Sequence, residues 1–245
     1  MIKVVYFQRK QRSLGNFSVE IYFEQVRKYL PDGIDPILVV MPYVSNGLFK
    51  RLANAIYCAF KQGDVNHITG DIHYVATFLK KSKTILTILD CGTIQDARGI
   101  KKAILKKFWF DIPISRSKIV TGISQATKDD IIKITGCKPE KIKVIYFLGN
   151  TKFKKQEKIF NKEKPTILQI GTAPNKNIPM LIRAIEGINC NLIIVGKINE
   201  DIRQLLIEKK IENTVYDYRL TDEEIEQLYG DSDIVSFVST NYAAR

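Results

Sequence analysis

The chain has 245 residues, 45% of them hydrophobic and 26% charged, which is ample for packed cores in one large domain or two small ones. No uninterrupted apolar run reaches about 18 residues, and the short apolar start is soon followed by Gln8-Arg9-Lys10-Gln11-Arg12, which excludes a spanning helix and a signal peptide and predicts a cytoplasmic protein. The net charge of +12 is uneven: residues 1–163 hold 29 Lys and Arg against 14 Asp and Glu, while residues 164–245 hold 9 against 12, so the basic excess points to an anionic surface as partner of the first part alone.

In chain order, residues 2–7 read as a strand, a loop containing Gly15 follows, and residues 17–30 form a helix with Val19, Phe23, Val26 and Leu30 on one face. Pro31-Asp32-Gly33 ends it. A strand over residues 37–41 precedes a helix over 48–60 with Leu48, Leu52, Ala55, Ile56 and Ala59 along one side. Residues 65–69 are a strand carrying His67, a helix from about residue 71 carries His73, and residues 84–89 are a strand ending at Asp90. Lysines cluster at Lys80-Lys81-Ser82-Lys83, in residues 101–110 and through residues 152–164. The second cluster mixes Lys101, Lys102, Lys106 and Lys107 with Ile104, Leu105, Phe108 and Trp109, which suits a helix lying peripherally on an acidic leaflet. It equally suits a solvated helix whose aromatics turn to the core.

Residues 118–123 make another strand, with Ser124 placed to cap a helix whose first turn holds Asp129 and Asp130 and which stops at Gly136. After a strand over 141–148, residues 149–164 lose periodicity and gain charge, as a linker does. The pattern then restarts: a strand over 166–170, a polar loop, a helix through Leu181, Ile185 and Ile188, and a strand over 191–195 ending at Gly196-Lys197. A helix over 200–210, a strand-like stretch over 214–218, the capping box Thr221-Asp222-Glu223-Glu224 and a last strand over 233–238 follow. The fold class is therefore α/β, with two doubly wound parallel-sheet, Rossmann-like domains at 1–148 and 165–245. The second is short of elements. Ligands of such domains bind at the carboxyl ends of the strands, so the predicted site is the cleft between the two units. Cys58, Cys91, Cys137 and Cys190 are scattered singly, without metal-ligand spacing, so reduced packed thiols and no metal are expected.

The most informative stretch is residues 167–179, Ile-Leu-Gln-Ile-Gly-Thr-Ala-Pro-Asn-Lys-Asn-Ile-Pro. A buried strand ends at Gly171, and a polar loop with Lys176 closes on a helix start with Asn177 as cap and Pro179 in the first turn. Helix N–H groups and one lysine make this a seat for a phosphate or diphosphate, and an ordinary βα connection reads as well on local sequence.

Several segments, in this order and spacing, resemble a retaining GT-B fold glycosyltransferase of family 4. They are Leu14-Gly15-Asn16, residues 120–128 (Val-Thr-Gly-Ile-Ser-Gln-Ala-Thr-Lys), Ile142-Lys143-Val144-Ile145-Tyr146, Leu168-Gln169-Ile170-Gly171-Thr172 with Lys176-Asn177, Leu192-Ile193-Ile194-Val195-Gly196, and Leu220-Thr221-Asp222-Glu223-Glu224. The resemblance implies transfer of a hexose from a nucleotide-diphosphate sugar, with no other cofactor, to a cell-envelope glycan such as lipopolysaccharide or to a lipid-linked acceptor. It also implies that Gly15 and Asn16 approach the donor phosphates, that Gly171, Thr172, Lys176 and Asn177 hold the diphosphate, and that Gly196, Lys197 and the Asp217-Tyr218 neighbourhood line the nucleotide. A fixed cation there would stabilise the departing diphosphate more than the ground state.

The departures are as informative. Thr172 stands where the family commonly has a basic residue, and Thr87-Ile88-Leu89-Asp90 lacks the family's histidine, leaving His67, His73 and Asp90 as catalytic candidates beside their structural readings as hydrogen-bonding or turn-capping residues. The family's glycine-rich loop and glutamate pair have no counterpart after residue 240, so a C-terminally truncated chain is expected, with an exposed edge beside residues 234–238 and with a non-catalytic remnant that binds nucleotide or a partner as the alternative. Nucleic acid is not an expected partner, because the aromatics form no stacking platform.

Overall fold

The computed structural model describes residues 1–10, 18–95, 97–147 and 156–240, so Gly15 and Asn16 lie outside the described residues. These divide into two compact units, residues 1–147 and 156–240. Both are α/β, each built on a wholly parallel sheet.

The first unit runs β1 (Ile2–Gln8), α1 (Ser18–Lys28), β2 (Ile34–Val40), α2 (Leu48–Ala59), β3 (Val65–Ile68), β4 (Thr84–Ile88), α3 (Gly92–Gln95), α4 (Gly99–Leu105), α5 (Ile112–Ser115), β5 (Ile119–Gly122), α6 (Gln125–Thr135) and β6 (Ile142–Val144). Its strand order is β2-β1-β3-β4-β5-β6. The chain goes from β1 to one side and returns to the other, so the switch point lies between β1 and β3. Phe7, Ile68, Leu86, Ile88 and Val120 are fully buried in the sheet, as continuous apolar strands covered on both faces require.

The second unit runs β7 (Thr166–Ile170), α7 (Ile178–Ala184), β8 (Asn191–Val195), α8 (Glu200–Glu208), β9 (Asn213–Tyr216), α9 (Asp222–Asp231) and β10 (Ile234–Ser236), in the order β10-β7-β8-β9. Its core alternates along the strands. Ile167, Leu192 and Ile194 face α7 and α8, whereas Leu168 and Ile193 meet Leu220 and Leu228 at α9. Asp233 fixes the start of β7, accepting from the backbone N–H of Thr166 at 2.8 Å and of Asn161 at 3.0 Å, with Lys158 at 3.2 Å. Those donors hold its carboxyl below the ordinary aspartate range.

Several local expectations hold. The Ser124 hydroxyl accepts from Thr127 N–H at 3.1 Å to cap α6, Gly136 ends that helix at φ 69°, and the Thr221 capping box forms with Glu224. Others are corrected. Asp129 and Asp130 fall beyond the first turn of α6, β6 is three residues long, and His73 sits in a 3-10 turn, His73–Phe78. Of the predicted apolar side of α2, Leu48, Leu52 and Ile56 face outward, Leu48 at 75% exposure, whereas Ala55 is buried as expected, together with Asn54 and Cys58. Asn54 sets that rotation: its amide accepts from Tyr43 N–H and donates to Tyr43 O and Tyr74 Oη, so the helix turns its polar anchor inward. Cys58, Cys91 and Cys190 are buried, and burial pushes the Cys58 and Cys91 thiols up to about 12, far from reactivity.

Candidate functional site

The second unit's switch point lies between β7 and β10, and the loops leaving those two strands meet there. Thr240 N–H donates to Asn175 O at 2.9 Å, and the Lys176 ammonium lies 5.3 Å from the centre of the Phe237 ring. Cation–π contact of this kind holds a lysine at an exposed site by about 0.5–1 kcal/mol, enough to aim it and weak enough to yield to an anion. Beneath, the buried Gln169 accepts from Ser236 Oγ at 2.7 Å and donates to the carbonyls of Ile170 and Gly171, tying the two strand ends together.

The loop itself is tightly folded. Gly171 has φ 85°, and a Cβ there would stand 3.3 Å from Lys176 Cε, so glycine is what lets the lysine fold back over the strand end. Residues Pro174–Lys176 form a 3-10 turn in which Lys176 N–H donates to Ala173 O and Asn177 N–H to Pro174 O. Gly171 N–H donates to Val195 O. Thr172, Ala173 and Asn175 therefore present N–H groups with no acceptor among the described residues.

Asn177 occupies the cap position without capping. Its φ of 52° and ψ of 41° are left-handed, which aims the side chain away from the first turn, and no side-chain cap bond forms. Pro179 is in the first turn as expected, but α7 has only seven residues, so its dipole is weak and Lys176 is the charged group of the loop.

Thr172 and Asn177 also line a cavity of about 680 Å³ between the loop, α7 and α8, together with Lys197 and Arg183. Gly196 joins the two strand ends: at φ 129° its missing Cβ would lie 2.9 Å from Thr172 Cγ2 and Oγ1, so Thr172 packs directly on bare backbone. Arg183 has no sequence signal, since an exposed helical arginine looks like any other. Beyond β9, the Tyr218 ring packs edge-on against Tyr216 at 6.0 Å, and Tyr216 O accepts from Gly196 N–H.

In the first unit, His67 stands on β3 between the rings of Tyr6 at 5.3 Å and Phe23 at 5.2 Å. Its Nε2 is 2.8 Å from Thr87 Oγ1, which in turn meets Thr121 Oγ1 at 2.8 Å. Burial pushes its pKa down to about 4, so the ring is neutral at pH 7. His73 is buried and its Nδ1 lies 2.9 Å from Trp109 O. A carbonyl only accepts, so Nδ1 carries the proton and Nε2 is the basic position. Burial lowers the His73 pKa, opposed by the Trp109 bond and by the charges of Asp71 and Asp90. Asp90 accepts from Gly92 N–H at 2.9 Å, a turn-capping bond. The structure thus brings His73 and Asp90 within electrostatic reach of each other, with Asp71.

Two residues at the first switch point escaped the sequence reading. Gln8 ends β1, is buried, and its Oε1 has no hydrogen-bond partner among the described residues. Arg9 is held by Glu20 at 2.7 Å and by Asp71 on the loop after β3. Basic Gln8-Arg9-Lys10-Gln11-Arg12 reads as a solvated loop, and the partners that convert Arg9 into a fixed cation lie 11 and 62 residues away.

No protein-family model matches the chain, and no curated protein matches it. Solved structures do. Anabaena Alr3699/HepE in complex with UDP and glucose superimposes with a TM-score of 0.74 at 14% identity over 98% of this chain and 75% of that one. The chain has the GT-B fold. The lipopolysaccharide outer core galactosyltransferase WaaB in its apo form gives a TM-score of 0.70 at 13% identity, over 99% of this chain and 75% of WaaB. More distant is the UDP-GlcNAc 2-epimerase from Neisseria meningitidis bound to UDP-GlcNAc, at a TM-score of 0.53 and 9% identity over 96% and 76% of the two chains. At such identities the likeness fixes the GT-B architecture, and the chemistry has to be argued from the residues.

Proposed function

We propose that this GT-B chain is a glycosyltransferase that moves a hexose from a UDP-sugar to an acceptor hydroxyl with retention at the sugar carbon. The carrying observation is the superposition on the HepE complex with UDP and glucose, closer than that on the epimerase, combined with a lysine-bearing loop at the second switch point. In this reading the sugar C1–O bond to the diphosphate breaks, a bond to the acceptor oxygen forms, and the acceptor proton passes to a base. Negative charge grows on the departing UDP, where Lys176 and the N–H groups of Thr172 and Ala173 meet it. Thr172, Asn177, Gly196 and Lys197 shape the nucleotide side of the seat. Of the two histidines of the first unit, His73 is the base this reading favours, its Nε2 being the basic position and the charges of Asp71 and Asp90 opposing the effect of its burial, while His67 is engaged by Thr87 as part of the sheet's support.

Incubation with labelled UDP-glucose, UDP-galactose and UDP-GlcNAc and a lipid-linked or lipopolysaccharide-core acceptor tests this. Labelled glycan with UDP release is expected. UDP binding without transfer would instead support a nucleotide-binding remnant, and interconversion of free UDP-sugars would support an epimerase.

The same reading seats the first unit on an anionic leaflet, as a peripheral protein of the cytoplasmic face. Among the described residues no helix is long and apolar enough to cross a membrane. Along α4 and the π-helical turn after it, Ile100, Ile104 and Phe108 are exposed at helical spacing beside the exposed Lys101, Lys102 and Lys107, whereas Phe110 is buried and Lys106 is paired with Asp111. Ile104→Asp is expected to weaken sedimentation with phosphatidylglycerol vesicles about tenfold, the effect of losing one buried isoleucine. Unchanged sedimentation would remove α4 from the contact.

A further inference from the structure

We propose that the first unit carries a second anion site, at the amino-terminal ends of β4, β5 and β6, which takes a phosphomonoester or diphosphate group. A cavity of about 700 Å³ opens there, and Lys81, Lys106, Lys118, Lys138 and Lys141 line it. The topology explains the convergence. Lys118 immediately precedes β5, Lys141 immediately precedes β6, and Lys81 opens the turn that leads into β4, so a lysine stands one to three residues before each of three adjacent parallel strands. These strand starts lie at the opposite end of the sheet from the β1/β3 switch point.

The charges are not balanced from within. Asp111 takes both oxygens to Lys106 at 2.8 Å, and Lys141 Nζ donates to Ile114 O. Glu140 is the other acid of the lining. Among the described residues no carboxylate lies within ion-pair distance of Lys81, Lys118, Lys138 or Lys141. Burial and the charge of Lys81 hold the Lys141 ammonium below the ordinary lysine range, the sign of a positive field that a bound anion would relieve. Several ammonium groups around one space suit an anion with many oxygens and more than one charge, which is a phosphate group rather than a lone carboxylate. The phosphate has two sources, a soluble phosphate ester or a lipid headgroup, because Lys106 joins this cavity to the turn that follows α4.

Calorimetric titration of the full chain with inorganic pyrophosphate, in a Lys176→Ala background that silences the donor seat, separates this site from the function proposed above. Binding is expected, and Lys118→Gln with Lys138→Gln should weaken it at least about fivefold, a change both exposed side chains allow without disturbing the core. The control pair Lys50→Gln with Lys61→Gln, on and just after α2, should leave it unchanged. Sedimentation of the same variants with phosphatidylcholine vesicles, with and without phosphatidic acid, distinguishes the source. Loss of phosphatidic-acid binding in the Lys118/Lys138 pair alone assigns a headgroup, and loss of pyrophosphate binding alone assigns a soluble ester. If neither ligand responds to the Lys118/Lys138 pair, or the control pair lowers binding as much, the site is overturned.

Discussion

Lys176→Ala is expected to weaken UDP binding roughly 10- to 100-fold while leaving thermal unfolding of the chain almost unmoved. The magnitude follows from the loss of one charge-assisted contact to a diphosphate, about 1.5–3 kcal/mol. The stability side follows from what the lysine touches: it is partly exposed, and its ammonium meets the face of Phe237 at 5.3 Å. Lys176→Arg should recover much of the affinity, because charge is what the seat supplies. Phe237→Leu, which releases the ammonium without removing it, should change affinity far less than Lys176→Ala. Titration of UDP by calorimetry, with unfolding followed by circular dichroism, checks all three. Equal affinity in Lys176→Ala would move the diphosphate seat away from this loop, toward the cavity lined by Arg183 and Lys197.

Much of this arrangement is legible in the sequence, for a physical reason that also sets the limit. Parallel strands buried on both faces must be apolar throughout, so runs such as Leu192-Ile193-Ile194-Val195 announce themselves, and caps such as Ser124 and Thr221 carry their partners three residues away. What stays hidden is set by distant contacts. The inward face of α2 depends on Asn54 finding Tyr43 and Tyr74, and helical periodicity alone selects the leucine side instead. The fixed charge of Arg9 depends on Asp71, and the aim of Lys176 on Phe237, 61 residues further on. Asn177 marks a subtler limit, since the residue types that cap helices also tolerate the left-handed region, and the sequence does not say which use is made. The strand, loop and helix around residues 166–184 and the last strand were thus readable one by one, whereas the pairing of β10 beside β7, which brings Phe237 and Thr240 to the loop, was not.

Acidification from pH 7 is expected to destabilise the first unit progressively between about pH 6.5 and about pH 4, and to do little more through His67 below that. The sign comes from the depressed folded-state pKa. In the unfolded chain the imidazole takes a proton near pH 6.5, but in the folded chain it resists protonation down to about 4, so between those values the unfolded state binds more protons and gains on the folded one. The stabilisation is fully present above pH 6.5 and is lost as the pH falls through the folded value. A full shift of this size corresponds to a few kcal/mol at most, and rearrangement of the Tyr6 and Phe23 rings to admit water will reduce it. His73, also buried and also depressed, adds to the same slope. His67→Phe keeps the aromatic packing and leaves Thr87 bonded to Thr121, so this variant should fold at pH 7 and show a shallower loss of stability on acidification than the parent. Urea unfolding at a series of pH values reads the slope directly. A parent profile flat between pH 7 and 4.5, or an undiminished slope in His67→Phe, would show that this imidazole charges without cost, and would restore His67 as a group free to exchange protons in catalysis.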